Sequence, residues 1–177
     1  MFGRIIGNGL LCALGGDGVW TQLAEEDISS AVTVVDFTGL TWTPYDMLAF
    51  IIQHNEGSGN NCKVHLHVNG NTTDTDYHAQ FLGSSGTSPS AALLNAPRIG
   101  ETQANDAGLI WGGIVLVDDL WVYESKFTFA SGSGIRNHSI HGLYANTVAN
   151  ITALRFEAQE ADGFGVGSRL SLYGLKK

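Results

Sequence analysis

Short apolar runs separated by Gly, Ser, Asn and Asp clusters recur along the whole chain, which is the pattern of β-strands joined by turns. Residues 61–69 give the cleanest alternation. Val64, Leu66 and Val68 share one face, while Lys63, His65, His67 and Asn69 share the other, which this pattern makes the solvent side. Residues 120–130 alternate in the same way, placing Trp121, Tyr123, Ser125, Phe127 and Phe129 on one face. Further strands are predicted over 30–38, 109–117, 154–159 and 169–173. The run 109–117 is continuously apolar but contains Gly112-Gly113, which predicts a bulge or a close backbone approach. Asn69-Gly70-Asn71 and Asp118-Asp119 read as turns.

Two segments carry helical signals. Ser88-Pro89 followed by Ser-Ala-Ala-Leu-Leu has an N-cap residue and a proline at the first helical position, predicting one or two turns of helix. Thr43-Pro44 leads into residues 47–53, where Met47, Phe50, Ile51 and His54 would form a helical stripe. A buried strand fits the same run, and periodicity does not separate the two. Many short strands with few helices point to an all-β protein, a jelly-roll-like antiparallel β-sandwich. The domain occupies residues 17–177 and follows an apolar, Gly-rich N-terminal arm at 1–16.

Composition narrows the function. The chain has 177 residues, enough for one domain, and 44% hydrophobic residues, enough for a core. Its net charge of −8 with only 9 Lys and Arg argues against a nucleic-acid partner and against an anionic membrane surface. The arm, MFGRIIGNGLLCALGG, superficially resembles a signal peptide, but Gly7, Asn8 and Gly9 interrupt its apolar run. Its apolar residues Phe2, Ile5, Ile6, Leu10, Leu11 and Leu14 read instead as an anchor that packs on another surface. Cys12 and Cys62 are too few for a disulfide framework.

No recognised catalytic or cofactor pattern emerges. His65 and His67, with His78, His138 and His141, are the candidate metal ligands, but their spacing matches no established set, and no metal or other cofactor is assigned. Residues 69–76 (NGNTTDTD) are rich in oxygen ligands without the spacing of a calcium loop. The acidic groups Glu25-Glu26-Asp27 and Asp118-Asp119 are adjacent on turns, not set across a cleft. Gly163–Gly167 is G-x-G-x-G but opens a strand, so a dinucleotide site does not follow. The chain is therefore read as non-catalytic. Of Trp20, Trp42, Trp111 and Trp121, Trp111 and Trp121 lie in apolar strands and are expected in a core or interface. Trp42, among Thr41, Thr43 and Pro44, is expected to be exposed and is the candidate ligand-binding aromatic.

Residues 150–156 (NITALRF) and 163–175 (GFGVGSRLSLYGL) resemble the closing segment of a family of small bacteriophage β-sandwich virion domains, which end in a strand, a Gly-rich turn, and a strand running to leucine, tyrosine, glycine. Gly18-Val19-Trp20, residues 34–40 (VVDFTGL) and Tyr45-Asp46 resemble earlier strands of the same family, which tips residues 47–53 toward β. In the closing segment, Phe164 and Val166 are expected to plug the end of the sandwich, with residues 168–172 pairing onto 151–156. The resemblance implies a structural protein located in the virion. It implies a capsid decoration (cement) protein binding the outer shell as a homotrimer, with the major capsid protein or tail proteins as partners. The alternative it implies is a tail-tip or tail-fibre module that recognises a host surface glycan or protein.

Overall fold

The computed structural model describes residues 19–176, apart from 86–87, 105, 118–119, 132–133 and 147–149, and apart from the side chains of 84–85, 88–89, 130–131 and 134. The arm and its anchor residues Phe2, Ile5, Ile6, Leu10, Leu11 and Leu14 lie outside the described residues, as do Cys12 and the Asp118-Asp119 turn.

The strands are β1 (Trp20–Asp27), β2 (Val34–Thr38), β3 (Tyr45–Asn55), β4 (Cys62–Val68), β5 (Tyr77–Ser85), β6 (Ser88–Leu94), β7 (Arg98–Thr102), β8 (Ala107–Val117), β9 (Leu120–Ser131), β10 (Gly134–Tyr144), β11 (Ala153–Ala158) and β12 (Arg169–Lys176). They form two antiparallel sheets. The large sheet has eight strands in the order β1-β12-β3-β8-β9-β10-β5-β6, and the small sheet has four, β2-β11-β4-β7. The chain crosses repeatedly between the sheets, staying in the large one for β5–β6 and β8–β10, so the expected β-sandwich is what forms.

The sequence alternation sets the inner faces. Phe50 and Ile52 of β3, Ile110 of β8, and Phe127 and Phe129 of β9 are buried on the large sheet. They meet Val64 and Leu66 of β4 and Leu154 and Phe156 of β11. Phe156 sits edge-on to Phe50 at 5.5 Å and to Phe37 at 5.9 Å, tying the sheets together. β8 passes through Gly112 and Gly113 with regular pairing on both sides. Close approach, and not a bulge, explains the glycines: a Cβ at Gly112 would lie 2.2 Å from the Glu124 carbonyl oxygen.

Several expectations are corrected. Residues 88–94 form strand β6, because their whole run pairs in register with β5 at the edge of the sheet. Residues 47–53 lie in β3, as the resemblance implied. The closing strand β12 pairs with β1 and β3, while β11 pairs with β2 and β4. The two therefore belong to opposite sheets and do not pair with each other. Phe164 is fully buried and plugs the sandwich end, but Val166 points outward at 63% exposure. Only Gly167 of the three loop glycines has positive φ, at 86°. Gly165 is instead required by contact, since a Cβ there would lie 2.9 Å from both the Asn55 carbonyl oxygen and the Gly57 Cα.

Candidate functional site

The histidines divide by burial. His65 and His67 point away from the core face of β4, yet both are buried. The loop after β4 explains this. It folds back so that the Tyr77 hydroxyl accepts the Val68 amide hydrogen at 2.9 Å and donates to the Asn71 carbonyl at 2.9 Å. The His67 Nδ1–H donates to the same carbonyl at 3.1 Å, and its Nε2 lies 3.4 Å from Glu157. Burial lowers the pKa of His67, against the pull of Glu157. Burial also pushes His65 down to about 4, with the nearby Asp74 carboxylate opposing the shift. The solvent-facing reading of this pair is therefore wrong: the loop supplies the cover that alternation could not reveal.

His54 is buried between two partners. Its Nε2–H donates to the Gly163 carbonyl at 2.8 Å, so its Nδ1 accepts the Thr102 hydroxyl hydrogen at 2.9 Å. Burial lowers its pKa as well. His138 is packed among aromatic rings, with ring centres 4.8 Å from Phe127 and 5.0 Å from Phe81, and neither ring nitrogen has a hydrogen-bond partner among the described residues. Its pKa is also lowered by burial. His78 and His141 are exposed on the large sheet. Among the described residues, no three His, Cys, Asp or Glu side chains converge as metal ligands. Cys62 is a free, buried thiol whose pKa burial raises to about 11, so it is a poor nucleophile.

The oxygen-rich residues 69–76 hydrogen-bond within the fold. Asn69 Oδ1 accepts from the Thr152 amide at 2.7 Å, and Asp76 Oδ2 accepts from the Asn71 and Asn146 side-chain amides at 2.6 Å each. Asp27 is paired with Arg169, whose hydrogen bond lowers its pKa, and Glu25 accepts the Ser171 hydroxyl hydrogen at 3.0 Å. These carboxylates lock β1 onto β12.

Trp42 is only 6% exposed, against the sequence expectation. Its ring lies edge-on to Trp121 at 4.4 Å, and its backbone amide donates to Asn150 Oδ1 at 2.8 Å, drawing the β2–β3 connection over the end of the core. Trp121 is buried, as expected. Trp111 is 42% exposed, on the face of the large sheet turned away from the small one.

That outer face carries several exposed apolar side chains, among them Trp111, Leu82 and Leu109. Pairing places Ile51, Trp111, Lys126, Ser139 and Leu82 in one row across five strands. The Lys126 ammonium lies 5.2 Å from the centre of the Trp111 ring and 3.8 Å from Glu124. One row along, Thr128 donates its hydroxyl hydrogen to Asn137 Oδ1 at 2.5 Å. Trp111, Lys126, Thr128, Asn137, Ser139 and Leu82 line a depression of about 250 Å³. A second depression of about 300 Å³, lined by Leu109 and Ile135, adjoins it at Thr128. Ile135 is 73% exposed. Sequence reading did not expect Trp111 at an open face because its strand is apolar throughout; its place opposite Lys126 follows only from the β8–β9 pairing. No protein-family model and no curated protein matches the chain.

Proposed function

We propose that the chain is a non-catalytic structural protein of a bacteriophage virion, a capsid decoration (cement) protein that binds the outer shell as a homotrimer. The observation that carries this reading is the placement of the segments that resemble the virion family. The segment at Trp20, residues 34–40, Tyr45-Asp46 and the closing Gly-rich loop with β12 are successive parts of one sandwich. A non-catalytic role is supported by where the shifted ionisable groups lie. His54, His65 and His67 are buried inside the fold, and His138, which borders the depression at Trp111, has its ring packed among aromatic side chains.

Under this reading the arm anchors the protein through Phe2, Ile5, Ile6, Leu10, Leu11 and Leu14. Apolar burial would supply about 25 cal/mol per Å², less the cost of ordering the arm. Deleting residues 1–16 leaves a folded sandwich that no longer joins particles, measured by co-sedimentation with undecorated capsids. Full occupancy by the truncated protein refutes the anchoring role. Light scattering tests the trimer, and a monomer at every accessible concentration refutes it.

The second reading, a tail-tip or tail-fibre module that recognises a host surface glycan, is favoured by one observation: the exposed Trp111 in its polar surround.

A further inference from the structure

We infer that the depression at Trp111 is a binding site for an uncharged pyranose ring. This assignment deepens the second reading above and names the ligand class and the residues that would hold it. Three features carry it.

The first is the ring. Trp111 has 42% of its surface exposed and is flanked by Ile51 and Lys126 on the neighbouring strands. One face of a pyranose is a patch of C–H bonds, which packs on an indole as other apolar surfaces do, while the hydroxyls at its rim stay free to hydrogen-bond. Lys126 covers the ring only with a flexible, half-exposed side chain, so a sugar can displace it at little cost.

The second is the polar surround. Lys126 and the Asn137 amide supply donors, while Glu124 supplies an acceptor and Ser139 both. Lys126, Thr128, Asn137 and Ser139 line the depression together with Trp111 and lie on its β9–β10 side, so a ring packed on the indole has polar partners along that edge. The depression, at about 250 Å³, is below the usual range for drug-sized ligands and matches a single ring or a chain end.

The third is charge. The Lys126 ammonium has Glu124 at 3.8 Å, and the chain carries a net −8. A carboxylate-bearing or sulfated sugar would meet that carboxylate and the overall negative field, whereas a neutral sugar uses the pair as acceptor and donor. A second protein copy is the competing occupant of this face, and light scattering tells the two apart.

The test uses the full chain on an array of immobilised neutral and acidic glycans, followed by titration with neutral methyl pyranosides observed through the indole N–H signals in an NMR spectrum. Binding of neutral pyranosides is expected, with the Trp111 signal shifting most. Trp111→Ala should weaken binding roughly tenfold or more, while Trp111→Phe keeps part of it. Trp111→Ala should retain the wild-type melting midpoint; if it does not, Asn137→Ala on the same rim replaces it, with weakened binding expected.

The assignment is overturned by no neutral-glycan binding, by binding confined to acidic glycans, or by binding that neither variant weakens. It is also overturned if light scattering finds self-association that Trp111→Ala abolishes, which would assign the face to a second copy. Capsid co-sedimentation is a separate readout, so failure of shell binding and failure of sugar binding are told apart.

Discussion

Acid should destabilise this protein through its buried histidines, with His65 as the largest resolved contributor. His65 is 4% exposed and is flanked by Asp74, His67, Arg98 and Lys63. Burial dominates and holds its pKa at about 4, against 6.5 for an unperturbed imidazole. The unfolded chain therefore binds the proton more tightly than the folded one. Between pH 6.5 and about 4 the unfolded state carries more protons, so stability rises with pH through that window and is lost as pH falls through it. The gap amounts to about 3 kcal/mol once fully expressed, of which about 2 kcal/mol is already lost at pH 5. Urea unfolding of the wild type and of His65→Gln at pH 7.5 and 5.0 isolates the effect, because carboxylates and the other histidines contribute to both proteins. The wild type should lose about 2 kcal/mol more than the variant between those two pH values. Equal losses would mean that His65 is hydrated in the native state and that the loop after β4 does not cover it.

Two further outcomes follow from particular contacts. His54→Leu leaves the Thr102 hydroxyl and the Gly163 carbonyl without their partner in a buried setting, and should lower stability by about 2–4 kcal/mol in urea unfolding. An unchanged midpoint would show that the closing loop is not held by this histidine. Gly112→Ala places a methyl group 2.2 Å from the Glu124 carbonyl oxygen on the paired strand, and should cost about 2–3 kcal/mol in a thermal melt. A melt matching the wild type would contradict the β8–β9 register.

Alternation made much of the fold legible. It identified β4 and β9 and placed Trp121, Tyr123, Ser125, Phe127 and Phe129 on one buried face. It succeeded there because neighbouring side chains of a strand point to opposite sides whatever the rest of the chain does. It failed at β6, where a proline and two alanines imitate a helix start and only the ladder to β5 decides for strand.

The candidate site was less legible, since exposure is a property of what lies above a face and not of the face itself. Trp42 has polar neighbours in sequence and is buried against Trp121, while Trp111 has apolar neighbours and stands half exposed. By itself, then, the sequence determined an all-β chain, the composition of each strand face, and a net charge of −8. Tertiary structure decided which faces are covered. It assigned β11 and β12 to opposite sheets, folded a loop over His65 and His67, and left the outer face of the eight-stranded sheet open around Trp111. The physical reason is that alternation is a local consequence of backbone geometry, whereas cover depends on segments distant in sequence.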